Sequence, residues 1–299
     1  LSLLVVGSVA LDDIEAPSGS VKGVLGGAAS YFAVAARFLA PVKTVGVIGN
    51  DFPEEHLEFF SARDIDIEGI YRAEGPTFRW GGRYHESMNQ RDTLFTELGV
   101  FEGFEPTLPE HYRDSSYVFL ANIHPSLQEN VLDQARAPTF TAMDTMNFWI
   151  ESTPDELAKT LAKVDGLVIN DEEAQQLTGE SNLVLAAERI RDLGPQTLII
   201  KRGEHGALLF DSEGIFAAPA FPLRTVVDPT GAGDCFAGGF MGAIADSGDN
   251  SSEALRRAVI YGSTMASFCV ERFSLDRFRD LTDEQVSERF EAFRRLTQF

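Results

Sequence analysis

Short apolar runs at residues 3–9, 44–48, 117–121, 140–144, 166–169, 197–200 and 207–210 constrain the fold of this chain more than any other feature. Several, such as Leu3-Leu4-Val5-Val6, hold no polar residue. That is the pattern of parallel strands covered on both faces, not of half-exposed strands that alternate. Amphipathic helical patterns lie between them. Residues 27–39 set Phe32, Ala35, Ala36 and Leu39 on one face, and Val286, Phe290 and Phe293 recur at helical spacing. β and α segments alternating in this way predict an α/β fold, a three-layer α/β/α sandwich around a mostly parallel central sheet. One stretch breaks the alternation. Residues 77–84 and 93–100 are β-prone around a polar turn at 86–92, which predicts a small β-hairpin inserted into the α/β body. Such insertions at the edge of a parallel sheet serve as lids over a site. There is no internal repeat or linker-like tract, so residues 1–299 are read as a single domain. The apolar opening, with Asp12 and Asp13 directly behind it, reads as a first strand rather than a secretory signal.

Charge narrows the function. Against 46 acidic residues stand 25 basic ones, a formal net charge of −21. This surface opposes phosphate backbones, so no nucleic-acid partner is expected. No apolar run reaches the roughly 18 residues of a membrane span, so no membrane partner is expected either. Only five of the basic residues are lysines. A salt-adapted surface and an acidic, Arg-preferring proteome both account for that. An anionic substrate would need local Arg or Lys against this field. The two cysteines, Cys235 and Cys269, offer neither a disulfide framework nor metal spacing, which suits a reducing cytoplasm.

The run Asp228-Pro229-Thr230-Gly231-Ala232-Gly233-Asp234 carries the chemistry. Its glycines permit a tight turn with converging backbone N–H groups, and the apolar helical pattern that follows adds the positive end of a helix dipole. Together they make an anion cradle. Asp234 at its mouth cannot ligate phosphate, because like charges repel; it fits a general base that takes a proton from an attacking hydroxyl. The plainer alternative is an acidic cap at a helix N-terminus.

This seven-residue string resembles, at every position, the C-terminal signature of the ribokinase-like (PfkB) family of carbohydrate kinases. The resemblance extends along most of the chain. It implies that Asp234 is the catalytic base and that the backbone of Gly231, Ala232, Gly233 and Asp234 forms the anion hole, with Thr230 beside the nucleotide. Gly7-Ser8-Val9-Ala10-Leu11-Asp12 resembles the family's entry segment, whose Asp binds substrate hydroxyls, which implies that role for Asp12. Gly26-Gly27 resembles the di-glycine loop that lines the sugar and hinges the lid, a lid formed here from about residues 12–25 and 76–101. Asn170-Asp171-Glu172-Glu173 resembles the family's Asn-x-x-Glu. On spacing alone this is a capping box; the resemblance adds that Asn170 lies near the nucleotide and Glu173 in the water shell of Mg2+. Lys201-Arg202-Gly203-Glu204-His205-Gly206 resembles the nucleotide-side turn, with Gly203 and Gly206 passing close to ATP. Lys201 is open between a phosphate contact and a surface charge. Some members of the family bind K+ near the signature Asp, which makes Asp228 one ligand of such a site.

Two positions depart from the pattern or extend it. Four residues beyond the second glycine the family carries Asn, and this chain carries Tyr31, an aromatic in place of an amide that binds sugar hydroxyls. In the lid, Arg79 shares a strand face with Gly81 and Arg83, and Phe78 with Trp80 and Gly82. Arg79 is a candidate partner for an acceptor carboxylate or phosphate, against the plainer reading of a solubilising edge-strand charge. The expected activity is cytoplasmic, ATP- and magnesium-dependent transfer to a hydroxyl of a small molecule. A monosaccharide or sugar acid comes first and a nucleoside second, since Tyr31, Phe78 and Trp80 would stack on a base. The resemblance also implies a homodimer joined through lid edges. Rival readings fare worse. A dinucleotide-dependent oxidoreductase needs G-x-G-x-x-G early in a βαβ unit, and a Walker-type kinase needs G-x-x-x-x-G-K-[ST], which is absent. A non-catalytic nucleotide-binding protein would not need the base.

Overall fold

The computed structural model describes residues 1–298. Its strands in chain order are β1 (Leu3–Val6), β2 (Ala10–Ala16), β3 (Gly19–Gly26), β4 (Val42–Ile48), β5 (Asp66–Arg72), β6 (Arg79–Tyr84), β7 (Arg91–Glu97), β8 (Tyr117–Leu120), β9 (Phe140–Met143), β10 (Gly166–Asn170), β11 (Thr197–Lys201), β12 (Ala207–Asp211) and β13 (Gly214–Ala218). Nine of them form one sheet in the order β13-β12-β11-β10-β9-β8-β1-β4-β5. The pairs from β11 through to β5 are parallel, and β12 and β13 close the other edge antiparallel.

Both sheet faces are covered, as the unbroken apolar runs require. Along β1 the side chains alternate between two cores, Leu3 and Val5 entering one and Leu4 and Val6 the other, all four fully buried. Burying an aliphatic side chain of this size stabilises the fold by roughly 1.5–3 kcal/mol. Helix Ala232–Ser247 packs against helices Ala28–Ala36 and Ser252–Cys269 on the first face. Three glycines permit that closeness: a Cβ at Gly238 would lie 2.4 Å from Phe32 O, one at Gly239 2.7 Å from Tyr261 O, and one at Gly242 3.0 Å from Ala36 O.

The β excursion is larger than a hairpin. A four-stranded sheet, β3-β2-β6-β7, joins residues 10–26 to residues 79–97. Its centre is a parallel pairing of β2 with β6, Asp12 beside Trp80 and Glu15 beside Arg83. Directly paired residues share a face, so this register sorts the side chains. Asp12, Ile14, Trp80, Gly82 and Tyr84 fall on one side, with Arg91 opposite Tyr84. Asp13, Glu15, Arg79 and Arg83 fall on the other.

Candidate active site

The site gathers at the C-terminal ends of the parallel strands, where an open α/β sheet leaves its loops and helix N-termini. After β1, Ser8 receives helix Ala28–Ala36: its Oγ accepts the Ala28 N–H at 3.0 Å and its carbonyl the Ala29 N–H at 3.0 Å. The two preceding glycines have separate reasons. Gly27 has φ +91°, and a Cβ there would lie 2.4 Å from Ser8 O. A Cβ at Gly26 would lie 2.1 Å from the Asp12 carboxyl. Gly26 therefore leaves the space that Asp12 occupies. Burial pushes that carboxyl well above its usual range, with Asp228, Asp234 and Asp13 adding to the rise and Arg91 opposing it.

At the head of helix Ala232–Ser247, Gly231 adopts the left-handed conformation, φ +73°, and no side chain caps the helix. The Ala232 N–H donates to Pro229 O at 3.2 Å. The N–H groups of Gly231, Gly233 and Asp234 meet no protein acceptor among the described residues, so they, rather than Ala232, are the amides free for an anion. A Cβ at Gly231 would lie 2.2 Å from the Tyr31 ring, and one at Gly233 2.7 Å from Lys201 Nζ. The cradle is thus floored by an aromatic ring and flanked by an ammonium.

Strand register brings the rest together. Asn170 and Lys201 are partners at the ends of β10 and β11. The capping box forms: Asn170 Oδ1 accepts the Glu173 N–H at 2.7 Å, and Glu173 Oε2 accepts the Asn170 N–H at 3.0 Å. Burial raises the Glu173 carboxyl, and Lys201, then Arg91, hold it down. Burial likewise raises Asp234 to about 6, with Lys201 and Arg91 opposing. Asp144, at the end of β9, is 7 % exposed, its Oδ1 has no partner, and burial followed by the charge of Asp234 pushes it well up. Lys201 therefore lies among these carboxylates, with its Nζ beside Gly233. Asp144 and Arg91 are the residues that sequence reasoning missed. Asp144 ends the apolar run 140–144 without a motif of its own, and Arg91 left no signal.

Several expectations are corrected. Arg79 lies on the lid face turned from Asp12 and is held by Asp13 at 3.1 Å. Tyr31 is 1 % exposed with its ring packed under Gly231, so it offers no open surface to a base; its hydroxyl has no partner. Phe78 stacks on Phe101 at 5.2 Å. Thr230 turns its Oγ1 to the Tyr84 hydroxyl of the four-stranded sheet at 3.2 Å. Gly206 is required by its own chain, since a Cβ would lie 2.0 Å from Ala218 O. The Asp228 carboxylate accepts the Thr230 and Ser274 N–H groups, both at 2.9 Å, and so clamps the anion loop to the C-terminal segment. Cys235 and Cys269 donate to the Tyr31 and Thr230 carbonyls within the core, and burial pushes the Cys235 thiol up rather than down.

The carboxylates fit a hard cation held through water. Among the described residues no three potential ligands lie close enough to bind a metal directly. Asp234 and Glu173 nonetheless raise Asp144, Glu173 raises Asp234, and Asp144 Oδ1 is unpartnered. Magnesium retains several waters and takes one or two carboxylates together with substrate phosphates.

The sequence model of a family described as "pfkB family carbohydrate kinase" matches residues 2–278. A cytidine kinase of Thermococcus kodakarensis is 33% identical over 248 residues, which cover 81% of this chain and 87% of that one. Among solved structures, the nucleoside kinase of Burkholderia thailandensis in complex with inosine superposes with TM-score 0.80 at 21% identity, covering 97% of each chain. An E. coli structure described as a putative ribokinase II in complex with ATP and Mg2+ gives TM-score 0.78 at 19% identity, covering 97% of this chain and 99% of that one. No helix among the described residues is long and apolar enough to cross a membrane.

Proposed function

The chain belongs to the pfkB family of carbohydrate kinases and transfers a phosphoryl group from ATP to a hydroxyl of a sugar-like or nucleoside acceptor; within that class we propose that the acceptor is a nucleoside. The observation that carries this choice is the Trp80 ring on the same lid face as Asp12. The ring lies across Gly82, where a Cβ would come within 2.0 Å of it. A half-exposed indole laid flat beside a buried carboxylate suits a planar base joined to a sugar with vicinal hydroxyls. The surroundings of Asp12, which include Asp13, Asp228 and Asp234, disfavour an anionic acceptor. Arg79, the expected anchor for an acid, is committed to Asp13. The sugar-acid expectation therefore moves behind the nucleoside. The 33% identity to a cytidine kinase over 81% of the chain supports the same order.

In this reading Asp12 accepts hydrogen bonds from the acceptor hydroxyls and the four-stranded sheet closes as a lid. Asp234 takes the proton of the attacking hydroxyl as its oxygen forms a bond to the γ-phosphorus. The bond from that phosphorus to the β–γ bridging oxygen breaks, and the electron pair stays on ADP. The N–H groups of Gly231 and Gly233, with Lys201, stabilise the charge that develops on the transferred group. Asn170 and Gly203 border the nucleotide. Glu173 and Asp144 would hold magnesium through water, and the ion would neutralise phosphate oxygens. Asp228 is retained as one ligand of a proposed K+ site. The open edges β3 and β7 are the basis for the proposed homodimer.

The test is ADP release from Mg-ATP at low and high KCl. The acceptors are cytidine, uridine, adenosine and inosine against ribose, fructose, 2-keto-3-deoxygluconate and fructose 6-phosphate, with Asp234→Asn as control. Nucleoside turnover that the Asn variant loses is the expected result. Turnover confined to the acid or the sugar phosphate would refute the acceptor assignment while leaving the kinase chemistry standing.

A further inference from the structure

Among the described residues, four other than glycine hold a positive φ: Asp64, Met88, Ala137 and Ser274. The first three are exposed or half-exposed, whereas Ser274 is 4 % exposed. At its φ of +53° a glycine would sit without strain and a serine does not. A strained conformation persists only where its surroundings hold it, and such positions gather at functional sites. What holds Ser274 is a pair of buried hydrogen bonds. Its N–H donates to Asp228 Oδ2 at 2.9 Å, and its hydroxyl donates to the Leu25 carbonyl at 2.5 Å.

Each bond leads to one half of the site. Asp228 Oδ1 accepts the Thr230 N–H at 2.9 Å, directly before the Gly231, Gly233 and Asp234 amides that are free for an anion. Leu25 pairs with Leu11 in the β2–β3 ladder and directly precedes Gly26, whose missing Cβ leaves the space of the Asp12 carboxyl. The segment bearing Ser274 is itself seated between the two. The Val227 and Asp228 N–H groups donate to Val270 O at 2.8 and 3.4 Å, and the Phe273 ring lies 3.6 Å from the place a Gly19 Cβ would take in β3. We propose that Ser274 is a positioning residue, whose hydroxyl holds strand β3 against the anion loop and so aligns the acceptor hydroxyl with the phosphorus it attacks. The proposal rests on the kinase reading above, in which Asp12 holds the acceptor and the anion loop holds the transferred group. Ser274 touches neither reactant and moves no proton. Its effect is geometric: in-line transfer needs the two halves in register, and a misplacement of about 1 Å can cost on the order of 100-fold in rate. The backbone here favours glycine, but only a hydroxyl can donate to the Leu25 carbonyl.

The test separates the hydroxyl from the fold. Ser274→Gly relaxes the left-handed backbone and loses the hydroxyl, Ser274→Ala loses the hydroxyl and keeps the strain, and Ser274→Thr keeps the hydroxyl. Each form is measured by urea unfolding and by ADP release from Mg-ATP, at low and high KCl, with whichever acceptor of the panel above turns over. Ser274→Gly and Ser274→Ala should lower kcat alike, by about 10- to 100-fold, with KM for ATP and for the acceptor within about two-fold. The Ala form should unfold at lower urea than the Gly form, so equal losses of kcat at unequal stability tie the effect to the hydroxyl. Ser274→Thr should recover most of kcat. Full kcat in the Gly form, a loss that follows the unfolding midpoint, or a change in KM alone would overturn the proposal. Restoration of the Gly form by KCl would overturn it too, since Ser274 would then act through a cation. Any acceptor serves, so failure of the nucleoside assignment leaves the test intact. A chain that turns over no acceptor of the panel would strike the kinase reading, and this proposal with it.

Discussion

The substitution Gly26→Ala isolates the link between a backbone position and the carboxylate proposed to bind the acceptor. The added Cβ would lie 2.1 Å from Asp12 Cγ and Oδ2 and 2.4 Å from Oδ1, far inside contact distance. Gly26 is not at positive φ, so alanine costs little in backbone strain and the whole effect passes through Asp12. The ladder pairing of Ala10 with Gly26 opposes retreat of the strand. Asp12 must rotate away or β3 must shift, and overpacking of this kind costs about 1–3 kcal/mol of stability. In the proposed reading Asp12 then no longer accepts the acceptor hydroxyls. Losing a hydrogen bond to a charged group costs about 1.5–3 kcal/mol, a fall of roughly 10- to 150-fold in kcat/KM for the acceptor, with KM for ATP unchanged. The double-mutant cycle with Asp12→Ala is decisive. In that background the methyl enters vacated space, so the stability cost of Gly26→Ala should largely vanish and kcat/KM should fall no further. Urea unfolding midpoints and coupled ADP-release kinetics read both legs. Equal destabilisation with and without the carboxylate would refute the reasoning.

Other outcomes follow from the same geometry. Asp234→Asn should lower kcat by about 10²–10⁴ with ATP binding preserved, measured by ADP release and calorimetry. Because Asp234 must be ionised to act and its carboxyl sits at about 6, kcat/KM should fall as pH drops through that value. Lys201→Met removes the largest charge opposing the rise, so this limb should move to higher pH; an unchanged limb would assign it to another group. Gly206→Ala should lower the unfolding midpoint, since its Cβ meets the backbone at Ala218, while the folded fraction keeps its KM for ATP. Tyr84→Phe loses the bond to Thr230 and should raise acceptor KM by about five-fold, on the scale of 1 kcal/mol, without moving the pH profile.

The central sheet and its chemistry were legible because each depends on a few consecutive residues. Leu3-Leu4-Val5-Val6 has to be covered on both faces wherever it lies. Gly231 and Gly233 specify a left-handed turn and an approachable backbone through the absence of Cβ atoms, and Asn170 with Glu173 closes a capping box within four residues. These interactions close over short stretches of chain, so the amino-acid order alone determines them.

The lid was legible only as an excursion. Its face assignment depends on β2 lying parallel to β6, a pairing between residues about 70 apart that no local pattern records. That register, with bulges between Asp12 and Ile14 and between Gly81 and Gly82, turns Arg79 outward to Asp13 and brings Arg91 over the site. The same holds for Lys201 and Asp144, charged residues at strand ends that join the cluster because β9, β10 and β11 are neighbours in one sheet. The order of residues by itself determined the sheet, the anion turn and the capping box. Tertiary structure alone decided which charges face the cleft, because a one-residue shift in strand register exchanges the two faces.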